Sequence, residues 1–567
     1  MTKLGYLRSA SPGWALPRYF APGITIARLE RCSSEVAVSA NSNHLSMPAK
    51  LQQALAWYQQ GQLARARSIY EDILRSQPTN CDALNMLGFI RLQTNDPSGA
   101  LSLFERAIAL VPNHAMAFNG KGLALQESKR WDTALASFNQ ALAIQPDYAP
   151  AHFSRGCLFI EFNRLDEALG ALDHAIAFKP DFALAHYNRG VVLEALNRSH
   201  EALASYDRAI AITADADAYF NRGNVLRRDL GQLGAALASY DHAIALKPDH
   251  VGAYVNKAHI LLLSGDFERG LPIYEWRLKL PDRIAATAAR GLSAPHWVGK
   301  ETLTDRTILL HSELGLGDTL QFCRYVEMVA RLGARVILQV QRPLVSLLEN
   351  LAGASQVLAQ GQALPAVDYQ CSLISLPLAF HTRLDSIPRT RRYLRSSATK
   401  KAYWQTKLAE TPNPRIGLVW CGSLLHKVDH DRSLSLAQLI ENLPVQFQYV
   451  SLQYEVRESD RETLRARREI LHFADELRDF TDMAALCENL DLVISVDTNV
   501  AHLSGALGQK TWVLLPFHPD WRWLMERTDS PWYPTLKLYR QDAVGDWSGV
   551  LLRLREDLKR EFDSFLG

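Results

Sequence analysis

Five prolines in the first half of this chain keep a 34-residue step: Pro78, Pro112, Pro146, Pro180 and, past a vacant slot at Ala214, Pro248. Gly88, Gly122, Gly156 and Gly190 keep the same step, Gly223 falls one residue short of it, and Ala100, Ala134, Ala168, Ala202 and Ala236 keep it without a slip. A period of that length confines the fold to stacked supersecondary units, because one such unit cannot bury its apolar face alone. Proline cannot continue a helix, so each marks the end of a helix pair and forces a turn. Glycine and alanine stand where paired helices touch, since small side chains let backbones approach. Phe104, Phe138, Tyr206 and Tyr240 then fill the groove toward the next repeat. The slip at Gly223 predicts that the sixth repeat loses a residue before its glycine and regains it in the longer turn LRRDLGQL.

The pattern resembles the tetratricopeptide repeat, with seven copies from 45–78 through 249–282 and degenerate, capping copies at both ends. The fold expected over 45–282 is an α-helical superhelix. Two residues before the contact glycine stand Ser154, Asn188 and Asn221, with Asn256 before Ala258. This column resembles the asparagine ladder of O-GlcNAc transferases, which implies a groove that holds a peptide backbone. Hydrogen bonding between repeats is the other reading of the same amides. The neighbouring Arg155, Arg189, Arg222 and Lys257 are expected to be solvated or paired with acids.

Composition narrows the rest. The chain has 567 residues, 47% hydrophobic and 22% charged, which suits several globular domains. Lys+Arg 62 against Asp+Glu 60 leaves +2, too little excess for a dedicated nucleic-acid binder, so no nucleic-acid partner is expected. Seven scattered cysteines without a CxxC pair argue for a reducing compartment and against a disulfide frame. No run reaches the ~18 apolar residues of a membrane span, so no transmembrane segment is expected. Prolines and glycines interrupt the N-terminal region, which argues against a secretory signal. The expected location is cytoplasmic. Residues 1–44 have no amphipathic period and read as a disordered tail; Met47, opening the first periodic helix, is an alternative start.

After YEWRLKLPD a linker is expected at 283–300, and beyond it the period changes. β-branched runs occur at 307–311, 335–340, 415–420, 448–453, 491–497 and 511–516, with helical stretches between them at 319–332, 343–351, 435–442, 482–489 and 501–507. Strand–helix alternation predicts parallel sheets with right-handed crossovers. A basic connector at 388–414 divides them into two Rossmann-like, doubly wound lobes, 301–400 and 401–567, with ligands expected at the carboxyl ends of strands.

Two strand ends carry chemistry-bearing residues. In HSELGLGDTLQFCRY, Gly315 and Gly317 permit a tight, close-approach turn, and Asp318 arrives at a helix start. Helix capping is the plain alternative for Asp318. In ISVDTNVAHLSGALG, Asp497 ends a buried strand and a helix begins at once. The amides of Thr498, Asn499, Val500 and Ala501 then suit a diphosphate. His502 follows on the first turn, with packing beneath the strand as its alternative.

These segments resemble the family-9 glycosyltransferases, heptosyltransferase-like enzymes of the GT-B fold, over roughly 300–545, most strongly at Gly317-Asp318 and at Asp497-Thr498-x-x-Ala501-His502. The repeats, YEWR, GLGDTLQFCRY and PFHPDWRW together are similar to bacterial tetratricopeptide proteins carrying that module. The resemblance implies an inverting, metal-independent transferase using a nucleotide-sugar donor, with no cofactor or metal. It implies Asp318 as general base, Asp497 to His502 as donor loop, and Lys427, with Arg432, neutralising the leaving diphosphate. Asn499 departs from the family's glycine, and asparagine tolerates the left-handed backbone that the turn would then need. The repeats point to a protein or peptide acceptor presented by them, with lipopolysaccharide or another glycan as the alternatives. The alternative is an interaction scaffold with a degenerate, non-catalytic module.

Overall fold

A computed structural model describes residues 46–408, 413–423 and 429–563. The expected tail over 1–44 and the predicted Lys427 lie outside the described residues. The chain divides into two compact units, one ending at His250 and the other beginning at Val251.

The first unit is a stack of helix pairs, from Met47–Gln59 with Leu63–Ser76 to Ala216–Arg228 with Leu233–Leu246. The turn inside each pair carries a left-handed residue at the 34-residue step: Gly61, Asn95, Lys129, Asn163, Asn197 and Gly231, with φ from 58° to 74°. Glycine and asparagine accept that backbone cheaply, which explains five of the six; Lys129 takes it without that help. The sixth repeat behaves as its sequence predicts. Its first helix starts at Ala216, 33 residues after Ala183, and its second at Leu233, 34 after Ser199.

Packing explains the small residues. A Cβ on Gly88 would lie 2.7 Å from the Phe104 ring, and one on Gly120 only 2.3 Å from the same ring, so Phe104 seals its own repeat and reaches the next. Phe138, Tyr206 and Tyr240 cover Gly122, Gly190 and Gly223 in the same way, and Leu172 takes the slot over Gly156. All five covering side chains are fully buried.

The second unit begins with the helices Val251–Leu263 and Phe267–Tyr274 of the last repeat. It holds two sheets, every strand pair parallel. β1 (Thr307–His311), β2 (Arg335–Val340), β3 (Ala354–Ala359) and β4 (Tyr369–Ser372) form the first, in the order β3-β2-β1-β4. β5 (Arg415–Val419), β6 (Gln448–Ser451), β7 (Ile470–His472), β8 (Leu492–Val496), β9 (Thr511–Leu515) and β10 (Leu536–Arg540) form the second, in the order β10-β9-β8-β5-β6-β7. The central strands β1, β2, β5, β8 and β9 are the apolar runs of the sequence, buried on both faces. β3, β4, β7 and β10 lack that signature, being edge strands of three to six residues with polar positions.

One apolar core joins the last repeat, the first sheet and one face of the second sheet; a smaller core fills the other face. Phe267 and Tyr274 place their rings 5.9 and 6.1 Å from Trp521, so the last repeat's helices belong to this core. The stretch 283–300 begins inside a helix, Pro281–Ala289, rather than as bare linker. The basic connector ties the two sheets: the Tyr393 amide donates to the Ala506 carbonyl at 3.1 Å and its hydroxyl to the Leu320 carbonyl at 2.8 Å.

Candidate functional site

The chain leaves β1 through Ser312, Glu313 and Leu314 and enters the helix Leu316–Phe322 at Gly315. Asp318 caps that helix: its Oδ2 accepts the Gly315 amide hydrogen at 2.8 Å. Gly315 has φ −75°, so its backbone is open to any residue. Gly317 is needed for another reason. A Cβ there would lie 2.7 Å from His502 Cδ2 and 3.6 Å from Asn499 Cα, so only hydrogen lets this helix approach the helix Asn499–Ala506. The close approach expected of Gly317 is thus present, while neither glycine needs a left-handed turn.

At the second strand end, β8 runs into Asp497 and Thr498 precedes the helix Asn499–Ala506. Thr498 turns its hydroxyl to Ser495 Oγ at 3.1 Å and leaves the helix start without a side-chain cap. Asn499 is the first helical residue and has no positive φ, so the left-handed backbone its departure from glycine would call for is absent. Val500 and Ala501 bury their side chains, which leaves the backbone as the polar surface of this turn. Arg432 adjoins this turn. Its Nη1 donates to the Asp497 carbonyl at 2.7 Å and its Nε to Asp429 Oδ1 at 3.1 Å. Asp429 is buried and also accepts from Arg457 and, at 3.0 Å, from Ser433 Oγ. A Cβ on Gly422 would sit 2.2 Å from Asp429 Oδ1 and 2.4 Å from Arg432 Nη2, so glycine admits the pair. Burial, aided by nearby Asp520, pushes the Asp497 carboxyl up to about 6 against the pull of Arg432.

His502 is 6% exposed. Its Nδ1 pairs with the Tyr533 hydroxyl at 3.0 Å, and its ring stacks on Trp523 at 5.2 Å and 20°. Burial pushes it down to about 3, so it stays neutral at ordinary pH. The geometry matches the packing role that was the alternative for this residue.

Sequence reasoning assigned no role to Arg522, although PFHPDWRW was in view. Arg522 is 7% exposed and donates to Asp318 Oδ1 from the far side of the site. Its Nη1 donates to Asp520 Oδ1 at 2.7 Å, and its guanidinium lies 4.7 Å from the Trp521 ring centroid and 5.3 Å from that of Phe322. Desolvation raises the Asp318 carboxyl above its ordinary value, and the Arg522 charge opposes that rise. Desolvation also works against ionised Asp520, but the Arg522 charge and hydrogen bonds prevail and hold it below its usual range. The segment pays for this aim in backbone strain: Leu524 has φ 55° and ψ −166°, a region normally left to glycine.

YEWR has a structural task. Arg277 is 3% exposed, pairs with Glu275, and reaches Glu313 at 2.9 Å and Ser375 Oγ at 2.6 Å. Ser372 donates to Glu313 at 2.7 Å, and Arg283 to the Glu313 carbonyl at 3.0 Å. The loop between β1 and Gly315 is therefore held by Arg277 of the last repeat and by Arg283 of the helix that follows it. Burial would raise the Glu275 carboxyl, but Arg277 and His296 bring it down to about 2.

In the repeats, the amide column serves the stack itself. Asn188 Nδ2 donates to Cys157 Sγ at 3.2 Å and Asn221 Nδ2 to Tyr187 Oη at 3.0 Å, each joining its repeat to the one before. Ser154 turns back to its own helix, to the Pro150 carbonyl at 2.9 Å, and Asn256 lies half-buried in the second unit. Arg189 and Arg222 pair with Asp173 and Asp207 at 2.6 Å, and Arg155 meets Asn139 at 3.2 Å. Among the described residues no group of three or more His, Cys, Asp or Glu is placed to hold a metal, and no helix is long and apolar enough to cross a membrane.

Three family models described as tetratricopeptide repeat match residues 49–80, 85–149 with 153–219, and 216–250. The chain therefore carries tetratricopeptide repeats. Protein FlbA of Caulobacter vibrioides is 25% identical over 333 residues, covering 53% of this chain and 54% of that protein. The match thus spans about half the length of that relative. Among solved structures, YrrB, described as a tetratricopeptide protein with an unusual peptide-binding site, is 21% identical over 33% of this chain and 97% of its own, with a TM-score of 0.28. PilF of Pseudomonas aeruginosa is 17% identical over 37% of this chain and 96% of its own, with a TM-score of 0.33.

Proposed function

We propose that the second unit is a glycosyltransferase that moves a sugar from a nucleotide-sugar donor to an acceptor, and that the tetratricopeptide repeats bind the protein partner. One observation carries the reading: the helix that follows β1 and holds Asp318 packs, through the Gly317–His502 contact, against the uncapped helix start after β8. A carboxylate on one side suits removal of a hydroxyl proton from the acceptor. Backbone amides and Arg432 on the other suit the leaving diphosphate. In this reading Asp318 takes the proton as the acceptor oxygen attacks the anomeric carbon, the bond to the diphosphate breaks, and its charge falls on the amides, Arg432 and Lys427. No step of this reading uses a metal.

The scaffold alternative draws on one finding, that His502 is used up in packing against Tyr533 and Trp523. Calorimetry with a panel of nucleoside diphosphates and UDP-, GDP- and ADP-sugars separates the two. The transferase reading expects one of the panel to bind, at least tenfold more weakly to Arg432→Ala and Lys427→Ala, and to turn over. Absence of binding to the whole panel sinks the enzyme and leaves the scaffold.

A further inference from the structure

Resting on the transferase reading, we propose that Arg522 is a positioning residue for the general base: it bridges Asp318 and Asp520 so that the Asp318 carboxylate is held charged and aimed into the site. Asp318 and Arg522 stand 204 residues apart and come from the two different sheets' connections. Asp318 presents one oxygen to the Gly315 amide and the other to Arg522. Arg522 is clamped in turn, by the Asp520 carboxylate and by the faces of Trp521 and Phe322. The Asp520 carboxylate also accepts the Arg522 backbone amide at 3.0 Å, so it fixes the start of the short helix Trp521–Trp523 that delivers the guanidinium. The strained backbone at Leu524 directly follows that helix. An arrangement that stores strain to hold one cation against one carboxylate is what a site-positioning device requires.

A half-buried carboxylate held by a guanidinium is governed by the balance of charges around it. His259, on the last repeat's first helix, acts on Asp520 and lowers it. Arg522 favours the ionised form, while Asp520 and Glu313 disfavour it. Arg277 already neutralises Glu313. His502, across the Gly317 contact, is neutral. Asp497, on the β8 side, titrates near 6 and is tied to Arg432 through its own carbonyl. The surrounding Tyr274 and Arg324 keep their charge states across the working range.

Opposite charge changes should consequently move the base in opposite directions, which a purely structural role would not do. The readout is release of nucleoside diphosphate from the nucleotide sugar selected by calorimetry, followed as kcat against pH. Arg522→Ala should move the acid limb up by about 1–3 pH units, and Asp520→Asn should move it down by about half a unit. Arg522→Lys keeps the charge but not the fork and should leave the limb near that of wild type while lowering kcat. Asp497→Asn is run beside them; a limb that vanishes in this variant belongs to Asp497 and overturns the assignment. Limbs that stay put in Arg522→Ala, or move the same way in both variants, also overturn it.

A measurement free of turnover guards against misfolding and against failure of the transferase reading. In thermal melts at pH 7, Asp318→Asn should restore part of the stability lost in Arg522→Ala, because it removes the orphaned buried charge. Loss without rescue overturns the charge link. Rescue in a protein that turns over no donor overturns the transferase reading and the base role with it, while the Asp318–Arg522 link stands.

Discussion

The repeat unit and the α/β unit differ in how they handle charge and glycine. In the repeats, ion pairs such as Arg189–Asp173 lie at the surface, with side chains 25% and 49% exposed, Arg228 with buried Glu194 being the exception, and the glycines meet residues of the same or an adjacent repeat. In the α/β unit, Arg277, Arg324 and Arg522 are buried, and Gly317 meets a histidine nearly 200 residues away. The first unit is built of contacts between near neighbours in sequence, so a local fault stays local. The second is built of contacts that close only when distant segments arrive together, so each buried charge is a condition on the whole unit.

Removing Arg277 tests that contrast hardest. Arg277→Ala takes the buried guanidinium from Glu275 and Glu313, leaving His296 beside Glu275, and should cost about 3–5 kcal/mol in urea unfolding. The effect has a pH signature. Glu275 is held near 2, below its ordinary 4.5, so its share of stability is whole above 4.5 and fades as pH falls toward 2; the variant should lack that part of the acid loss. Phe104→Ala should cost a comparable ~3–5 kcal/mol but spend it locally. Hydrogen exchange should show lost protection in the second and third repeats and little change in the sixth. A uniform loss along the array would break the comparison.

Gly317→Ala comes next, at about 1–3 kcal/mol, since the added methyl must displace the His502 ring. His502 itself gives a slope rather than a step. Its folded value, about 3, lies below the ordinary 6.5, so the unfolded chain takes the proton first. Stability should be whole above 6.5 and decline as pH falls toward 3, and His502→Gln should flatten that decline in a pH series of melts. Smallest is Arg189→Ala, at no more than about 1 kcal/mol, as expected of an exposed pair; a loss several times larger would mean that the surface ladder bears weight like the buried charges.

Legibility followed the same divide. The helix pairs, their contact glycines and the one-residue slip of the sixth repeat were all readable, because a period averages over many copies of one local interaction. The left-handed turn column at Asn95, Asn163 and Asn197 was equally periodic and was missed beside the stronger proline signal. In the second unit the central strands were readable as apolar runs, while the edge strands β3, β4, β7 and β10 were not, since they are short and half-polar. Asp318 and the Asp497–His502 turn were located by motif. Capping by Asp318, packing of His502 and hydrogen bonding between repeats by Asn188 and Asn221 were each one of two readings, while the ion pair of Asp318 with Arg522 was not legible.

By itself, then, the sequence determined the repeat architecture, the existence of a parallel α/β unit and the two strand ends where polar residues gather. Periodicity and strand hydrophobicity are local properties, and local properties are written in neighbouring residues. Only the tertiary structure decided that Arg522 meets Asp318, that Arg277 holds Glu313 and that Gly317 admits His502. Those pairings lie between 36 and 204 residues apart along the chain, and no local preference encodes a partner at that distance. They exist because burial in a shared core leaves each charge or ring one place to go.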